Sequence, residues 1–264
     1  MSDDPLLLHV PFTDTLDAAY AGGDGRGSVD PRGTEPLFEF DGLRRGARFG
    51  RDTCVHYRIE GNFNRLEGTV TLWFRPDWDS LSVSDLGRIL WDLRIEHGSV
   101  VPDDPSQRWA LVYPDPGGKG KACPEQRRRG GGRADSTFGC WRFCVETNRN
   151  RYVIGTKEPR QDPRTRQGVF GSQQDFQAGQ WMHLAVSWTP EVGVIYVNGR
   201  LDTRAPIPEG LPSRPLPETM QVGAIASWIN AGPGGVISDF RVYGTSLDEA
   251  SIAGAMGEDG AQGR

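Results

Sequence analysis

Several charged side chains alternate with apolar ones along three segments typical of β-strands. In an extended strand, successive residues occupy opposite faces, so the apolar set of each segment predicts one face and the charged set the other. The charged residues with this pattern are His56, Arg58, Arg94, Arg142 and Glu146. A histidine beside arginines and an acid could exchange protons with a substrate or hydrogen-bond a ligand. Charge pairs between neighbouring strands are the alternative, and the pattern leaves both interpretations open.

Two tryptophans and one basic segment are further candidates for ligand binding. Trp78 and Trp228 lie in or beside predicted loops, where an indole ring can stack on a sugar; core packing is the alternative. Residues 119–166 hold thirteen Lys or Arg and five acidic residues. Clustered arginines match carboxylate, sulfate or phosphate oxygens, so this segment predicts either attraction for an anionic polymer or a solvated loop. Its consecutive arginines are Arg127, Arg128 and Arg129.

The elements that must position these residues are predicted to be β-strands. Short runs rich in β-branched and aromatic residues alternate with breakers drawn from 35 Gly and 19 Pro. Asn198-Gly199 predicts a two-residue hairpin turn, and Ser246 with Glu249 predicts a capping box that starts one short C-terminal helix. We therefore expect a single all-β domain over residues 1–264, built of two stacked antiparallel sheets. Its expected core includes Trp141, Phe143, Val186, Trp188 and Phe240.

Composition and charge argue against several classes of protein. No stretch approaches the roughly 18 consecutive apolar residues of a membrane span. The net charge of −5 argues against a dedicated nucleic-acid-binding protein. The N-terminus, MSDDPLLLHVPF, has two acids where a signal peptide carries positive charge, so no signal peptide is predicted in this chain. The four cysteines leave the redox state open.

Three segments in order along the chain are similar to laminin-G-like domains. Residues 67–78 (EGTVTLWFRPDW) resemble a family strand, and residues 178–202 resemble the hairpin in which a Trp-x-His strand precedes a strand ending in Asn-Gly. Residues 234–256 resemble the closing strand, which runs into a short capped helix. The resemblance implies a jelly-roll β-sandwich of the laminin-G/pentraxin, or concanavalin A-like, type. Residues from about 100 to 135 have no counterpart and are interpreted as an inserted basic loop.

The resemblance also implies a structural calcium ion that joins the N-terminal loop to the last strand. Asp239 matches an aspartate of the family's closing strand, although Ser238 stands where the family has a second aspartate. Calcium takes six to eight oxygen ligands. Asp14 or Asp17 and the carbonyl of Gly22 could supply several of them. The alternative is that these aspartates are ordinary turn and strand residues.

The same fold hosts lectins, adhesins, glycosidases and lyases, so the resemblance alone does not assign a function. The E-x-D-x-x-E motif of the fold's glucanases has no match here, and the motifs of its alginate lyases have none either. We therefore predict a non-catalytic module that recognises a protein or a glycan, the latter neutral or anionic. The alternatives are a structural or adhesion component of a surface assembly or virion, and a lyase or glycosidase acting on an acidic glycan. The implied fold favours an extracellular or particle-surface location.

Overall fold

The computed structural model describes ten ranges of the chain. These ranges are 5–78, 88–94, 108–113, 142–146, 151–154, 160–162, 167–169, 176–207, 216–223 and 232–258. Within them lie eighteen strands and one helix, α1 (Glu249–Glu258). The strands are Leu6–Val10 (β1), Tyr20–Ala21 (β2), Ser28–Val29 (β3), Leu37–Phe40 (β4), Arg45–Phe49 (β5), Cys54–Arg58 (β6), Gly68–Pro76 (β7), Arg88–Arg94 (β8), Arg108–Tyr113 (β9), Arg142–Glu146 (β10), Arg151–Ile154 (β11), Arg160–Asp162 (β12), Gln167–Val169 (β13), Met182–Trp188 (β14), Val192–Val197 (β15), Arg200–Pro206 (β16), Thr219–Gly223 (β17) and Gly235–Tyr243 (β18).

The strands form two sheets, here called sheet A and sheet B. Sheet A has the order β16-β15-β14-β7-β18-β1-β2, with β5 also pairing β18 and β4 pairing β5. Sheet B has the order β12-β13-β11-β10-β9-β8-β17-β6-β3. The pairings of the described strands are antiparallel apart from β11 with β13. The predicted all-β, two-sheet antiparallel jelly-roll sandwich with one short C-terminal helix is confirmed.

The hydrophobic core lies between the sheets and follows the period-two alternation of the strands. Sheet A contributes Trp188 and Phe240, and sheet B contributes Tyr57 and Trp91, all of them almost completely buried. Val186, Trp188 and Phe240 belong to one core cluster, as predicted. Phe143 lies on β10 opposite Leu111 of β9, and Trp141 is outside the described residues.

The two-residue turn between β15 and β16 follows the sequence prediction. Asn198 and Gly199 have positive φ angles of 52° and 75°, and the flanking Val197 and Arg200 are partners in the ladder. Both residue types tolerate this left-handed conformation, which a two-residue hairpin with the natural strand twist requires.

Helix α1 covers one end of the outer face of sheet A. Ile252 is fully buried in a second, smaller apolar cluster with Ala185, Val194 and Tyr196. The side chains of β14 and β15 that point away from the main core therefore have their own apolar cover, and this part of the face is closed to ligands.

The helix starts differently from the sequence prediction. Asp248 is its N-cap, because its Oδ1 accepts the backbone N–H of Ser251 at 2.9 Å. The predicted capping box is wrong: Ser246 Oγ lies 2.7 Å from Ser187 Oγ, and Glu249 Oε1 accepts the backbone N–H of Leu201 at 3.1 Å. Ser246 and Glu249 therefore bind residues of β14 and β16 and do not cap the helix.

Truncation of a core aromatic should test this packing. Trp188→Ala removes a side chain with no exposed surface, and we expect the free energy of unfolding to fall by about 3–5 kcal/mol. Urea unfolding followed by fluorescence and circular dichroism measures the change. The control is Leu66→Ala, whose side chain is 60% exposed and should cost little. Equal losses for the two variants would contradict the assigned core.

Candidate ligand-binding face

A line of paired residues crosses the outer face of sheet B. Residues directly opposite each other in antiparallel strands occupy the same face. The successive Cα partners are Ser28, His56, Gln221, Asp92, Ala110, Cys144 and Val153. Their chain neighbours Val55, Val222 and Trp91 belong to the core, so the line lies on the opposite side of the sheet. His56, Gln221 and Asp92, from β6, β17 and β8, are called the polar line below.

Hydrogen bonds hold the His56 end of the polar line. His56 Nε2 lies 3.2 Å from Asp30 Oδ2, and its Nδ1 lies 3.5 Å from Thr219 Oγ1. Arg32 binds the same Asp30 carboxylate through its backbone N–H and its guanidinium, at 2.9 and 3.2 Å. Burial opposes ionisation of Asp30, but the hydrogen bonds from Arg32 and His56 outweigh it and hold the pKa of that carboxyl below its usual value. The Asp30 carboxylate is therefore a fixed, charged support for His56.

The centre of the polar line is deeply buried. Asp92 has no exposed surface and Gln221 is 4% exposed. Gln221 Oε1 has no hydrogen-bond partner among the residues that the structure describes. An unpartnered buried acceptor costs about 1–3 kcal/mol, so this amide oxygen is a place where a ligand donor would be favourable.

The strand register places the charged residues predicted from the sequence on this same face. Arg58 is two residues beyond His56 on β6, is exposed, and donates through Nη1 to Glu218 Oε2 at 2.7 Å. Arg94 is two residues beyond Asp92 on β8. Arg142 and Glu146 flank Cys144 at spacings of two on β10. Alternation along single strands predicted an outer position for each of these residues, and the order of β6, β17, β8, β9 and β10 brings their strands together in one sheet.

Trp78 is engaged by protein groups and does not offer a free ring to a sugar. Its Nε1 donates to the carbonyl of Pro233 at 2.8 Å. The ring of Phe176 packs edge-on with centroids 5.0 Å apart, and Arg88 Cζ lies 5.6 Å from the indole centroid. Trp228, Arg127, Arg128 and Arg129 lie outside the described residues, as does most of the basic loop predicted at about 100–135.

The residues predicted to bind calcium do not gather at one point. The Gly22 N–H donates to the carbonyl of Leu7, whereas the Asp239 N–H donates to the carbonyl of Pro11. Leu7 and Pro11 are four residues apart along β1 and its end, which corresponds to about 13 Å in an extended chain. A calcium ion holds its oxygens at about 2.3–2.6 Å, so Gly22 and Asp239 cannot share one ion.

The aspartates of that set have other partners. Asp239 Oδ1 lies 2.6 Å from His9 Nε2 and 3.1 Å from Arg241 Nε, and the positive charge of the arginine disfavours a divalent cation. Asp17 Oδ1 accepts the N–H of Gly27 at 3.0 Å, and Asp14 pairs locally with Thr13. Within the described ranges, no three His, Cys, Asp or Glu side chains form a group that could hold a metal ion. The four residues therefore do not fit one calcium site, and a structural calcium elsewhere stays a prediction.

A cluster of tryptophans and arginines on the outer face of sheet A was not predicted. The β4–β5 hairpin brings Asp41 to Trp181, whose Nε1 donates to Asp41 Oδ2 at 2.7 Å. Arg44 Cζ lies 4.0 Å from the centroid of Trp73, and Arg75 Cζ lies 5.4 Å from that of Trp181. Arg75 also pairs with Asp41 and with Glu39. No local pattern indicates this cluster, because the sequence separation of Asp41 and Trp181 is 140 residues.

His183 is a buried, neutral histidine beneath this cluster. It is 2% exposed, packs edge-on against Trp73 with centroids 5.2 Å apart, and its Nδ1 has no partner among the described residues. Burial lowers the pKa of His183 to about 4, with a smaller contribution from Arg44 and Arg241 and an opposing one from Asp239. The imidazole therefore resists protonation while the chain is folded.

This histidine should make stability depend on pH. Below about pH 6.5 the unfolded chain binds a proton at this position and the folded chain does not, so stability should decrease as the pH falls from about 6.5 to 4. The difference between the pKa of His183 in the unfolded and the folded chain corresponds to about 3 kcal/mol in the free energy of unfolding. Urea unfolding across this range should give a shallower dependence for His183→Phe than for wild type. Trp73→Phe, which keeps the histidine, is the control; identical slopes for His183→Phe and wild type would contradict the expectation.

Comparison with known proteins agrees with the geometry. Residues 125–253, just under half of the chain, match the family model of the concanavalin A-like lectin/glucanases superfamily. The fold is concanavalin A-like. The resemblance predicted from three sequence segments is confirmed. No protein of curated function matches the chain in sequence. Within the described ranges, no helix has the length and apolar character needed to cross a membrane.

Solved structures of similar fold include carbohydrate-binding domains. Domain 4 of the extracellular GH43 arabinanase AbnA from Geobacillus stearothermophilus, in complex with arabinotriose, aligns with a TM-score of 0.62 and 16% identity, covering 95% of this chain and 98% of that domain. The botulinum neurotoxin DC binding domain aligns with a TM-score of 0.59 and 14% identity, in complex with SialylT or with rat synaptotagmin II. The toxin alignments include 97% of this chain. They include about half of the toxin binding domain. At these identities the likeness concerns the fold alone.

Proposed function

We propose that the protein is a non-catalytic carbohydrate-recognition module that holds a glycan across the outer face of sheet B. The observation that carries the proposal is the polar line, in which the partly exposed His56 shares a face with Gln221, whose buried Oε1 lacks a partner among the described residues. Burial and hydrogen bonding hold the neighbouring groups in place, so the acceptor is set in a rigid surface.

The chemistry of the polar line suits sugar hydroxyls. A hydroxyl donates one hydrogen bond and accepts others, whereas an ionised carboxylate only accepts and an amide does both. His56, whose side chain is 19% exposed, can donate to a sugar hydroxyl or accept from it according to its tautomer. Adjacent strands lie about 4.8 Å apart, so the line places one polar residue on each of β6, β17 and β8.

The arrangement supports binding better than hydrolysis. A glycosidase needs two carboxyl groups about 5–9.5 Å apart across the scissile bond. His56 and Asp92 are already two strand spacings apart, or about 10 Å, and Asp30 lies beyond His56 at the β3 side of the sheet. The Asp30 carboxylate is also occupied by Arg32 and His56. The polar line therefore lacks the pair of carboxyl groups that a glycosidase uses as general acid and as nucleophile or base.

The comparisons support the ligand class. An arabinanase domain of the same fold is described in complex with arabinotriose, and a toxin binding domain in complex with SialylT. Both have under 25% identity to this chain, so they support a glycan as a class and leave the choice of sugar to experiment.

Replacing the unpartnered glutamine should weaken glycan binding and leave the fold intact. We expect Gln221→Met to reduce affinity about tenfold, because a buried hydrogen bond to the ligand is lost. Its melting temperature should stay at or above that of wild type, because the amide oxygen lacks a partner in the free protein. Calorimetric titration with arabinotriose, a sialylated trisaccharide and polysaccharide fragments measures the affinities.

The matched control is Thr71→Val, a buried polar-to-apolar change on the other sheet. It should bind like wild type. Wild-type affinity in Gln221→Met, or no binding of any glycan in the panel by the wild-type protein, would contradict the proposed function.

The β4–β5 hairpin favours a second candidate function. In this function the protein is a structural component of an assembly built from copies of the same chain. Leu37, Phe40 and Leu43 are 69%, 58% and 83% exposed. Strand β4 pairs only with β5 among the described strands, so its other edge is available to the β4 strand of a second copy.

Sedimentation velocity over a range of concentrations tests this candidate. The wild-type chain should dimerise as concentration rises, and Phe40→Ser with Leu43→Ser should stay monomeric. Leu66→Ser, at a residue 60% exposed outside the hairpin, should dimerise like wild type. A wild-type chain that is monomeric at every concentration would remove this candidate.

A further inference from the structure

The edges of sheet A differ in how well they are protected against pairing with another chain. An edge strand offers unpaired backbone groups, and charged side chains or a very short strand normally protect it. Strand β16 at one end carries Arg200, Asp202 and Arg204, and β2 at the other end has two residues. Strand β4 pairs only with β5 among the described strands, and its sequence LFEF is mostly apolar. The β4 edge is therefore the least protected of the described edges of this sheet.

Backbone hydrogen bonding shows which residues of β4 face this edge. The Asp41 N–H donates to the carbonyl of Arg44 at 3.5 Å, so this pair and every second pair along the hairpin are joined by backbone hydrogen bonds. Phe38 and Phe40 belong to the intervening pairs. Their N–H and C=O groups therefore point away from β5, toward the free edge.

The side chains of the same two phenylalanines form an apolar surface on the core side of the hairpin. Phe38 lies opposite Ala47, a residue of the main core, and Phe40, two residues along the strand, points to the same side. Both phenylalanines are nevertheless exposed, because they lie beyond the rim of the core. Phe38 and Phe40 therefore offer a partner strand backbone donors, backbone acceptors and aromatic rings together.

We propose that a second copy of this chain pairs with the β4 edge in one antiparallel register, with Phe38 of each copy opposite Phe40 of the other. This pairing is its own complement under a two-fold axis. In each such pair both residues exchange their N–H and C=O groups, so every edge-facing group of Phe38 and Phe40 gains a partner. The rings lie on one side of the joined strands, where aromatic residues directly opposite each other stabilise a ladder.

The two neighbouring registers are less favourable. A pairing centred on Phe38 sets Phe40 opposite Pro36, which has no N–H to donate. A pairing centred on Phe40 sets Phe38 opposite Gly42, which lies in the turn with a φ of 90° and is not extended. Only the register centred between the two phenylalanines satisfies the edge-facing groups of both.

The charges of the hairpin agree with this register. Glu39 lies on the two-fold axis opposite its own copy, but its carboxylate already binds Arg48 and Arg75 within each chain. Repulsion between the two carboxylates is therefore compensated. The exposed Glu35 of each copy extends toward the turn of the other hairpin, where Arg45 is exposed. This second contact is attractive, so charge favours another copy of the chain as the occupant of the edge.

The pairing makes the dimer bivalent for the glycan of the proposed function. Antiparallel equivalent strands in one sheet are related by a two-fold axis perpendicular to that sheet, so corresponding faces of the two copies point the same way. Sheet B is stacked on sheet A in each copy, and both polar lines therefore lie on one side of the dimer. A polymer that reaches both lines should bind about a hundredfold more tightly than to one copy. This part of the inference rests on the proposed function, whereas the pairing itself does not.

Engineered cysteines test the register directly. Glu39→Cys places the two thiols at the two-fold axis, with Cα atoms about 4.5 Å apart, which is within the range for a disulfide. Mild oxidation should yield a covalent dimer on non-reducing electrophoresis, above the background of wild type oxidised in parallel. Leu37→Cys, on the same face of the same strand, is the matched control, because its Cα atoms are about 13 Å apart in this register. A covalent dimer of Leu37→Cys, or none of Glu39→Cys, overturns the register.

Sedimentation velocity tests the pairing without altering the Glu39 contacts. Wild type should dimerise as concentration rises, whereas Phe38→Ser with Phe40→Ser should stay monomeric and keep the circular dichroism spectrum of wild type. Leu201→Ser, at an exposed leucine of the charged edge strand β16, is the matched control and should dimerise like wild type. A wild-type chain that is monomeric at every concentration means that the β4 edge does not take a second copy, and the inference is then wrong.

Glycan binding separates this inference from the proposed function. Arabinan serves as the long probe and arabinotriose as the short one. Wild type should bind immobilised arabinan about a hundredfold more tightly than Phe38→Ser with Phe40→Ser does, while both bind arabinotriose equally. Equal binding of arabinan by both chains contradicts the bivalent role. If the dimer forms but no glycan binds, the pairing stands and the proposed function fails together with that role. If glycans bind to a chain that is always monomeric, the proposed function stands and this inference fails.

Discussion

The candidate face depends on the register of β17 between β6 and β8. This strand places Gln221 directly beside His56 on one edge and Asp92 on the other, although the three residues come from distant parts of the chain. A shift of one residue would exchange the faces of the strand, because side chains alternate with a period of two. It would bring Met220 and Val222 to the outer face and the polar amide into the core. The apolar neighbours therefore hold the polar group in position, and burial in the core and ligand recognition depend on the same register.

Polar groups on the two outer faces of the sandwich have different kinds of partners. On sheet A, arginines pair with carboxylates and lie over tryptophan rings, so the β4–β5 hairpin is held by a network whose charges have partners. On sheet B, Asp30 and His56 are satisfied, whereas Gln221 Oε1 has no partner among the described residues. A buried group without a partner is costly, and both sheets hold such a group among the described residues: Gln221 Oε1 on sheet B and His183 Nδ1 on sheet A.

The Asp239 region shows how tertiary contacts engage a residue that the resemblance assigns to a metal site. This aspartate lies at an irregularity of β18, with a positive φ of 54°, and its carboxylate binds His9 and Arg241. The position thus keeps an acidic residue beside the N-terminal strand, as the resemblance implies, but places the Arg241 guanidinium against its carboxylate. These contacts link β1 to β18 at this point, and a structural calcium elsewhere in the chain stays a prediction.

Local patterns in the sequence predicted the architecture and which residues share a face. Alternation along single segments identified Trp188 and Phe240 as core and His56 and Arg58 as outer residues, because a period of two is a local property of an extended chain. Strand neighbours follow from the folded chain alone, and so do the positions of Gln221 in the polar line and of Asp41 beside Trp181. The tertiary structure also decided that Trp78 is packed and that Ser246 binds Ser187 instead of capping the helix. Such contacts join residues far apart in the chain, and their energies depend on burial and pairing that no local pattern records.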